Sequence, residues 1–280
     1  MGLMSGRNIL VFGVANKHSI AWGIAKALHA HGAHIALSFA GPKLAHRVRS
    51  LAEQVGATFV EPCDVTSDDD IDRLFAAYER SVGRLDGLVH AVAFAPTSDL
   101  NGEFRDISRE GFLLTMDVSA YSLIALTRRA VPLMPDGGAI LTMTSYAAEK
   151  VIPHYNVMAV AKAALECEVR YLGVELGPRN IRVNAVSAGL VRTLAAQAMD
   201  NFQPLFRLAR EVTPLRRNMT PEDAGSAALY LMSDLGAAVT GETLHMDGGY
   251  SALGISVPER LVAAELARPG AAPAGAEADD

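Results

Sequence analysis

The stretch Asn8-Ile9-Leu10-Val11-Phe12-Gly13-Val14-Ala15-Asn16-Lys17-His18-Ser19-Ile20-Ala21-Trp22-Gly23 decides the fold. A short apolar run rich in branched side chains reads as a buried strand. Gly13 closes it, a polar loop follows, and a helical pattern opens at Ser19. Strand, loop and helix N-terminus in that order form the usual α/β cradle for a pyrophosphate. Backbone N–H groups and the helix dipole face the anion, and glycine lets the backbone come close. The common G-x-G-x-x-G spacing is not matched, so the glycines alone also fit a plain tight turn. The strand–helix setting is what points to a nucleotide.

The same alternation runs outward along the chain. Strands are expected at residues 8–13, 34–39, 58–63, 87–94, 139–144, 182–187 and 242–246. Helical patterns fall at 19–31, 43–55, 68–82, 109–133, 156–176 and 222–233. Strands alternating with helices predict an α/β fold with a parallel sheet. We therefore expect a single doubly wound Rossmann-type domain over residues 1–256, with a seven-stranded parallel sheet and helices on both faces. Ser67 before Asp68, Asp69 and Asp70 is a helix-start signal, as is Thr220-Pro221-Glu222-Asp223. Residues 257–280 read as a C-terminal extension. Its last part, 269–280, holds only Ala, Gly, Pro, Asp and Glu and is expected to be flexible.

Composition narrows the function. Of 280 residues, 50% are hydrophobic and 20% charged, which excludes a mostly disordered chain. Lys plus Arg is 25 against 31 Asp plus Glu, a net charge of −6, and the basic residues do not cluster. Neither nucleic acid nor a membrane surface is the expected partner. Cys63 and Cys167 stand far apart, so a disulfide scaffold or cysteine-rich zinc site is not expected. The scattered histidines give no trusted metal spacing, and no metal is expected. The apolar run at 9–15 is too short to span a bilayer and lacks a cleavage site. These features predict a soluble cytoplasmic protein. Ser145 lacks a G-x-S-x-G elbow, which argues against a hydrolase.

Two further places suit a dinucleotide. The third strand ends in Cys63-Asp64-Val65, where Asp64 suits either an adenine amino group or a helix cap. The second strand ends in Phe39-Ala40-Gly41-Pro42. A carboxylate for the ribose or an arginine for a 2′-phosphate would usually follow this strand. Neither is present at Ala40, and Lys43 is the nearest cation, so NADH is expected over NADPH.

The stretch from Ser145-Tyr146 to Tyr155 and Lys162 carries the chemistry. Tyr155 and Lys162 are seven apart, about two helical turns, which places both on one face. A lysine beside a phenol lowers its pKa. That would tune tyrosine as a proton or hydrogen-bond donor to a developing oxyanion. The plainer alternative is a surface lysine and a core tyrosine on one side of a helix.

With these residues in view, the chain resembles the short-chain dehydrogenase/reductase superfamily. Within it, the chain is similar to the enoyl-acyl-carrier-protein reductases of bacterial type II fatty-acid synthesis. The resemblance covers about residues 3–254. It rests on Gly13 with Ser19-Ile20-Ala21, on Cys63-Asp64-Val65, on Phe94-Ala95-Pro96, and on Tyr155-Asn156-Val157-Met158 through Lys162. It continues in Arg182-Val183-Asn184-Ala185, Ser187-Ala188-Gly189, Arg192-Thr193-Leu194-Ala195-Ala196 and Asp247-Gly248-Gly249. Most superfamily members have Tyr-x3-Lys, a T-G-x3-G-x-G loop and N-N-A-G; this chain lacks all three, as the enoyl reductases do.

The resemblance implies roles. Tyr155 would hydrogen-bond the thioester carbonyl as an enolate forms, Lys162 would hold the nicotinamide ribose, and Tyr146 would stand beside the acyl chain. Gly13, Ser19 and Ile20 would cradle the pyrophosphate, with Ala40, Asp64 and Val65 toward adenosine. Val92 and Ala93 would lie near the nicotinamide ribose, and Ala95 would touch substrate. Val191, Thr193, Leu194 and Ala195 would close over the nicotinamide, and residues 193–210 would form a mobile cover. It further implies NADH/NAD as cofactor, acyl carrier protein as the carrier of the enoyl substrate, and a homotetramer. Against the family pattern, eight residues rather than nine separate Tyr146 from Tyr155, and alanine stands at 93 and 159 where glycine is frequent. Asp117 stands where other superfamily members carry a catalytic Asn. The alternatives are a related reductase acting on a ketone or on an enoyl substrate of a specialised pathway, and a silent dinucleotide-binding module.

Overall fold

The computed structural model describes residues 2–193, 196 and 202–267. Seven parallel strands form one sheet in the order β3-β2-β1-β4-β5-β6-β7. They are β1 (Asn8–Phe12), β2 (His34–Phe39), β3 (Val60–Pro62), β4 (Gly87–His90), β5 (Gly138–Thr144), β6 (Ile181–Ala188) and β7 (Thr243–Met246). The helices are α1 (Ile20–Ala30), α2 (Ala45–Gln54), α3 (Asp68–Ser81), α4 (Thr97–Leu100), α5 (Arg109–Met116), α6 (Ser122–Ala130), α7 (Asn156–Leu176), α8 (Phe202–Val212), α9 (Pro221–Met232) and α10 (Glu259–Leu266).

Side-chain alternation along β1 builds two cores. Ile9 and Val11 join one cluster with Trp22 and Ile24 of α1, Val48 of α2 and Ala228 of α9. Leu10 and Phe12 join the other with Leu74 of α3, Leu126 of α6 and Leu165 of α7. A strand buried on both faces needs helices on both faces, and the sheet has them.

Caps set the helix starts. Ser67 accepts from Asp70 N at 3.2 Å, with three acids in the first turn of α3. Thr220 and Asp223 form a capping box at α9, with Pro221 at the first position. Arg217 makes two bonds to Asp223, at 2.6 and 2.9 Å, so this arginine, though still half exposed, is tied to the cap. Arg129 reaches from α6 to Asp72 of α3 at 2.5 Å and likewise is not a free surface charge.

Three elements depart from the sequence expectation. β4 stops at His90 rather than 94, because the next residues turn toward α5 and α6 instead of pairing with β5. The long helix expected over 109–133 is interrupted by a π turn at Asp117–Tyr121. The C-terminal extension holds a helix, α10, tied back by Arg260 to Glu211 at 2.8 Å and Glu259 to Arg216 at 3.4 Å. The flexible segment expected at 269–280 lies outside the described residues.

Candidate active site

β1 has β2 on one side and β4 on the other, so the chain reverses direction across the sheet at β1 and β4. Ligands of doubly wound sheets bind outside the carboxyl ends of the strands at such a point. Gly13 follows β1 there with φ +99°, and an added Cβ would sit 2.1 Å from Ala91 O. Both the left-handed backbone and the approach to the β4 exit require glycine. Ser19 turns its Oγ back to accept from Ala15 N and Asn16 N, each at 3.1 Å, which fixes the loop. No side chain caps α1; Trp22 N and Gly23 N donate to Ser19 O, and the N–H groups before them, of Ile20 and Ala21, are the ones a ligand would meet. That donor set fits a pyrophosphate.

The other candidates line the same edge. Ile20 opens α1 and is half-buried. Ala40 is exposed just past β2, with Gly41 beyond it at φ +72°. Asp64 is exposed just past β3; its Oδ1 accepts from Thr66 N at 2.9 Å and Thr66 Oγ1 at 2.7 Å. Ser67, not Asp64, is therefore the cap of α3. Val65 is buried in the second core. Val92 is half-buried and Ala93 exposed in the segment leaving β4. Past β6, Val191 is buried and bridges Met219, and Thr193 N donates to Val191 O at 2.8 Å. Leu194 and Ala195 lie outside the described residues. Of the expected cover, α8 is described. Phe202 and Phe206 pack at 5.2 Å between ring centroids, and Arg192 sits 5.5 Å from the Phe206 ring.

Tyr155 is held by an unusual backbone. His154 and Asn156 on either side both have positive φ, +62° and +26°. Non-glycine residues there carry strain, which persists only when surroundings enforce it. Asn156 Nδ2 donates to Gly102 O at 3.1 Å and anchors the bend. A small apolar cluster of Ala95, Leu100, Val157, Met158 and Ala161 packs against Tyr155, so the tyrosine and the expected substrate contact Ala95 share one wall.

The expected electrostatics of this pair needs correction. α7 begins at Asn156, so Tyr155 precedes the helix and the two-turn argument does not apply to it. Lys162 Nζ is buried and donates to Met143 O of β5 at 2.8 Å. Burial pushes the Tyr155 phenol up from its ordinary value, and Lys162 does not pull it back. Ser145 is close enough to lower it in part, yet Ser145 Oγ is buried without a hydrogen bond of good geometry. The phenol is thus a protonated donor at neutral pH. Burial pushes the Lys162 ammonium down to about 8 against the opposing pull of Glu166 and Glu168. Tyr146 stacks edge-on with Tyr250 and His245, and His245 Nε2 lies 2.7 Å from Glu149 Oε1. Asp117 stands at the start of the π turn. Burial raises its pKa, and its charged neighbours are Asp64 and Asp68 rather than Lys162.

A family model described as "Enoyl-(Acyl carrier protein) reductase" matches residues 13–251. The chain belongs to the enoyl-acyl-carrier-protein reductase family. Enoyl-acyl-carrier-protein reductase (NADH) 1 of Rhizobium meliloti is 51% identical over 254 residues, 91% of this chain and 93% of the relative. The NADH-named reductase of Aquifex aeolicus is 47% identical over 267 residues, 95% of this chain and 99% of the relative. The crystal structure of the Anaplasma phagocytophilum reductase in complex with NAD superposes with a TM-score of 0.88 at 48% identity. It covers 91% of this chain and 98% of its own. The seven-stranded Rossmann-type sheet is the fold of this reductase family. Among the described residues, no helix is long and apolar enough to cross a membrane, and no cluster of metal-binding side chains occurs.

Ser119 and Ser122 carry no sequence signal of their own. A serine within a helical pattern does not announce a π turn, and only the structure shows what these two grip.

Proposed function

We propose that this chain reduces trans-2-enoyl thioesters on acyl carrier protein to saturated acyl thioesters with NADH, in fatty-acid elongation. Gly13, Ser19 and the open first turn of α1 would hold the pyrophosphate. Ala40, Asp64 and Val65 would flank the adenosine half. Val92, Val191, Thr193, Leu194, Ala195 and Lys162 would hold the nicotinamide half. When bound, the dinucleotide supplies hydride to the substrate β-carbon. Negative charge then develops on the thioester oxygen and is discharged when a proton from water reaches the α-carbon; a hydroxyl aimed at that oxygen helps the transition state more than the ground state. Tyr155 is that donor, kept protonated by burial. Tyr146 stands beside the acyl chain, and Ala95 touches it. The observation that carries the reading is the half-buried placement of Tyr155 against the Ala95 cluster, between two residues of strained backbone, in a chain of this family.

Residues 1–256 form the reductase domain in this account, and 257–280 the extension. A homotetramer with twofold symmetry axes accounts for α5, which exposes Phe112, Leu113 and Leu114, and for α7, which exposes Tyr171 and Val174. The protein is read as cytoplasmic.

Loss of NADH absorbance on adding crotonyl and longer enoyl thioesters tests the reaction. Turnover of a ketoacyl substrate instead would favour the ketone reductase, and cofactor binding without turnover the silent module. With no cation at Ala40-Gly41-Pro42, kcat/KM should be higher with NADH than with NADPH. A comparable value with NADPH would point to Lys43 or Arg47 reaching back.

A further inference from the structure

The segment from His90 to Phe94 leaves the sheet at the switch point: Ala91 N still donates to Phe12 O of β1 at 3.3 Å, and beyond Ala91 the ladder pairing ends. Its grip comes from the π turn. Ser119 is fully buried, and its Oγ accepts from Phe94 N and donates to Phe94 O, both at 3.0 Å. One hydroxyl thus satisfies both backbone groups of one residue, as a neighbouring strand would. Three residues on, Ser122 Oγ lies 2.8 Å from His90 Nε2 and donates to Val118 O at 2.7 Å. Thr142 of β5 holds the other ring nitrogen of His90 at 2.8 Å. A π turn inserts an extra residue into a helix and shifts the face that follows, and such turns collect at functional sites. Here the interruption lies between Met116 of α5 and Ser122 of α6, and serines within and just after it meet both ends of His90–Phe94.

We infer that Ser119 is a positioning residue for the reaction: it holds the Ala91–Ala95 backbone in the shape that receives the nicotinamide half of the cofactor and the substrate thioester. It touches neither ligand and acts through the Phe94 peptide. This rests on the reading of the site as an NADH-dependent enoyl reductase. Without the hydroxyl, Phe94 N and O lose their partner, and the segment carrying Val92, Ala93 and Ala95 relaxes.

The test compares Ser119→Ala with Thr115→Val. Thr115 lies one turn earlier, is equally buried, and its Oγ1 has no hydrogen-bond partner. Calorimetry with NADH, steady-state kinetics with crotonyl thioester and thermal melting are run on both and on the unaltered protein. Ser119→Ala should weaken the NADH Kd and raise its KM by about tenfold, the scale of one or two lost hydrogen bonds. kcat at saturation should stay within about threefold. Thr115→Val should leave Kd and KM unchanged whatever it does to Tm. Ser119→Cys, close in size and a weaker hydrogen-bonding group, should fall between and keeps the test alive if the alanine variant does not fold. A Ser119→Ala protein with lowered Tm but unchanged Kd and KM overturns the inference, leaving a structural serine. Unaltered protein that neither binds NADH nor turns over the thioester overturns the underlying reading instead.

Discussion

The cofactor cradle and the cover over it are built in opposite ways. In the cradle, positions are fixed by backbone. Gly13 is pressed against Ala91, Ser19 ties its own loop, and strained residues flank Tyr155. In the cover, α8 buries only Phe202 and Val212, and few bonds hold it: Arg192 to Gln203 at 3.0 Å, Arg192 over Phe206, Asn218 Nδ2 to Phe206 O at 2.8 Å, and Glu211 to Arg260. An amphipathic helix with little apolar contact of its own gains order from what it lies on. The cradle is expected to be formed before ligands arrive, and the cover to respond to them.

The largest effect should come from breaking the cradle. Gly13→Ala puts a Cβ 2.1 Å from Ala91 O on a left-handed backbone. The backbone alone costs roughly 1–2 kcal/mol, and each kcal/mol is worth about 2–4 °C in a chain of this size. With the clash added, calorimetry should show NADH binding lost and melting should show Tm lowered by more than about 4 °C. Near-normal binding would mean that the loop is not rigid.

Lys162→Met should come next, weakening NADH binding as well as turnover if the ammonium holds the ribose. The pH profile sharpens it. Lys162 is protonated below about 8 and loses its proton above. Activity that needs the ammonium should fall as pH rises through about 8. Stability should move the other way. Between about 8 and 10.5 the unfolded chain binds a proton that the native one does not, so this group makes the unfolding free energy rise with pH. Lys162→Met should abolish both limbs; a surviving activity limb would assign it to another group.

The smallest effect concerns the cover. Amide exchange in Phe202–Val212 should slow when NADH and an acyl ligand bind together, while exchange in β1 and β4 changes little. Equal slowing in both regions would erase the distinction.

The same contrast explains what could be read from residues alone. The alternating apolar runs point to all seven strands, because the inner strands β1, β4, β5 and β6 are buried on both faces and need a nearly continuous apolar sequence, while the edge strands β3 and β7 are short and partly exposed. The turn at Gly13 and the loop bonds of Ser19 follow from residue type, because a left-handed turn demands glycine and a short hydroxyl ties its own loop. The role given to Tyr155 rests on the resemblance as well as on its spacing to Lys162. Its helical spacing to Lys162 misleads, since the helix starts one residue later and His154 and Asn156 bend the chain there. The π turn left no mark, because an inserted helical residue looks like any other.

The most direct measurement is Tyr155→Phe, assayed for kcat on enoyl thioester and for NADH affinity in the same preparation. kcat should be lowered by roughly 10²–10³, the usual range for one oxyanion donor, with NADH affinity nearly unchanged. Near-normal kcat in that variant, with activity lost instead in Tyr146→Phe, would contradict it and exchange the roles of the two tyrosines.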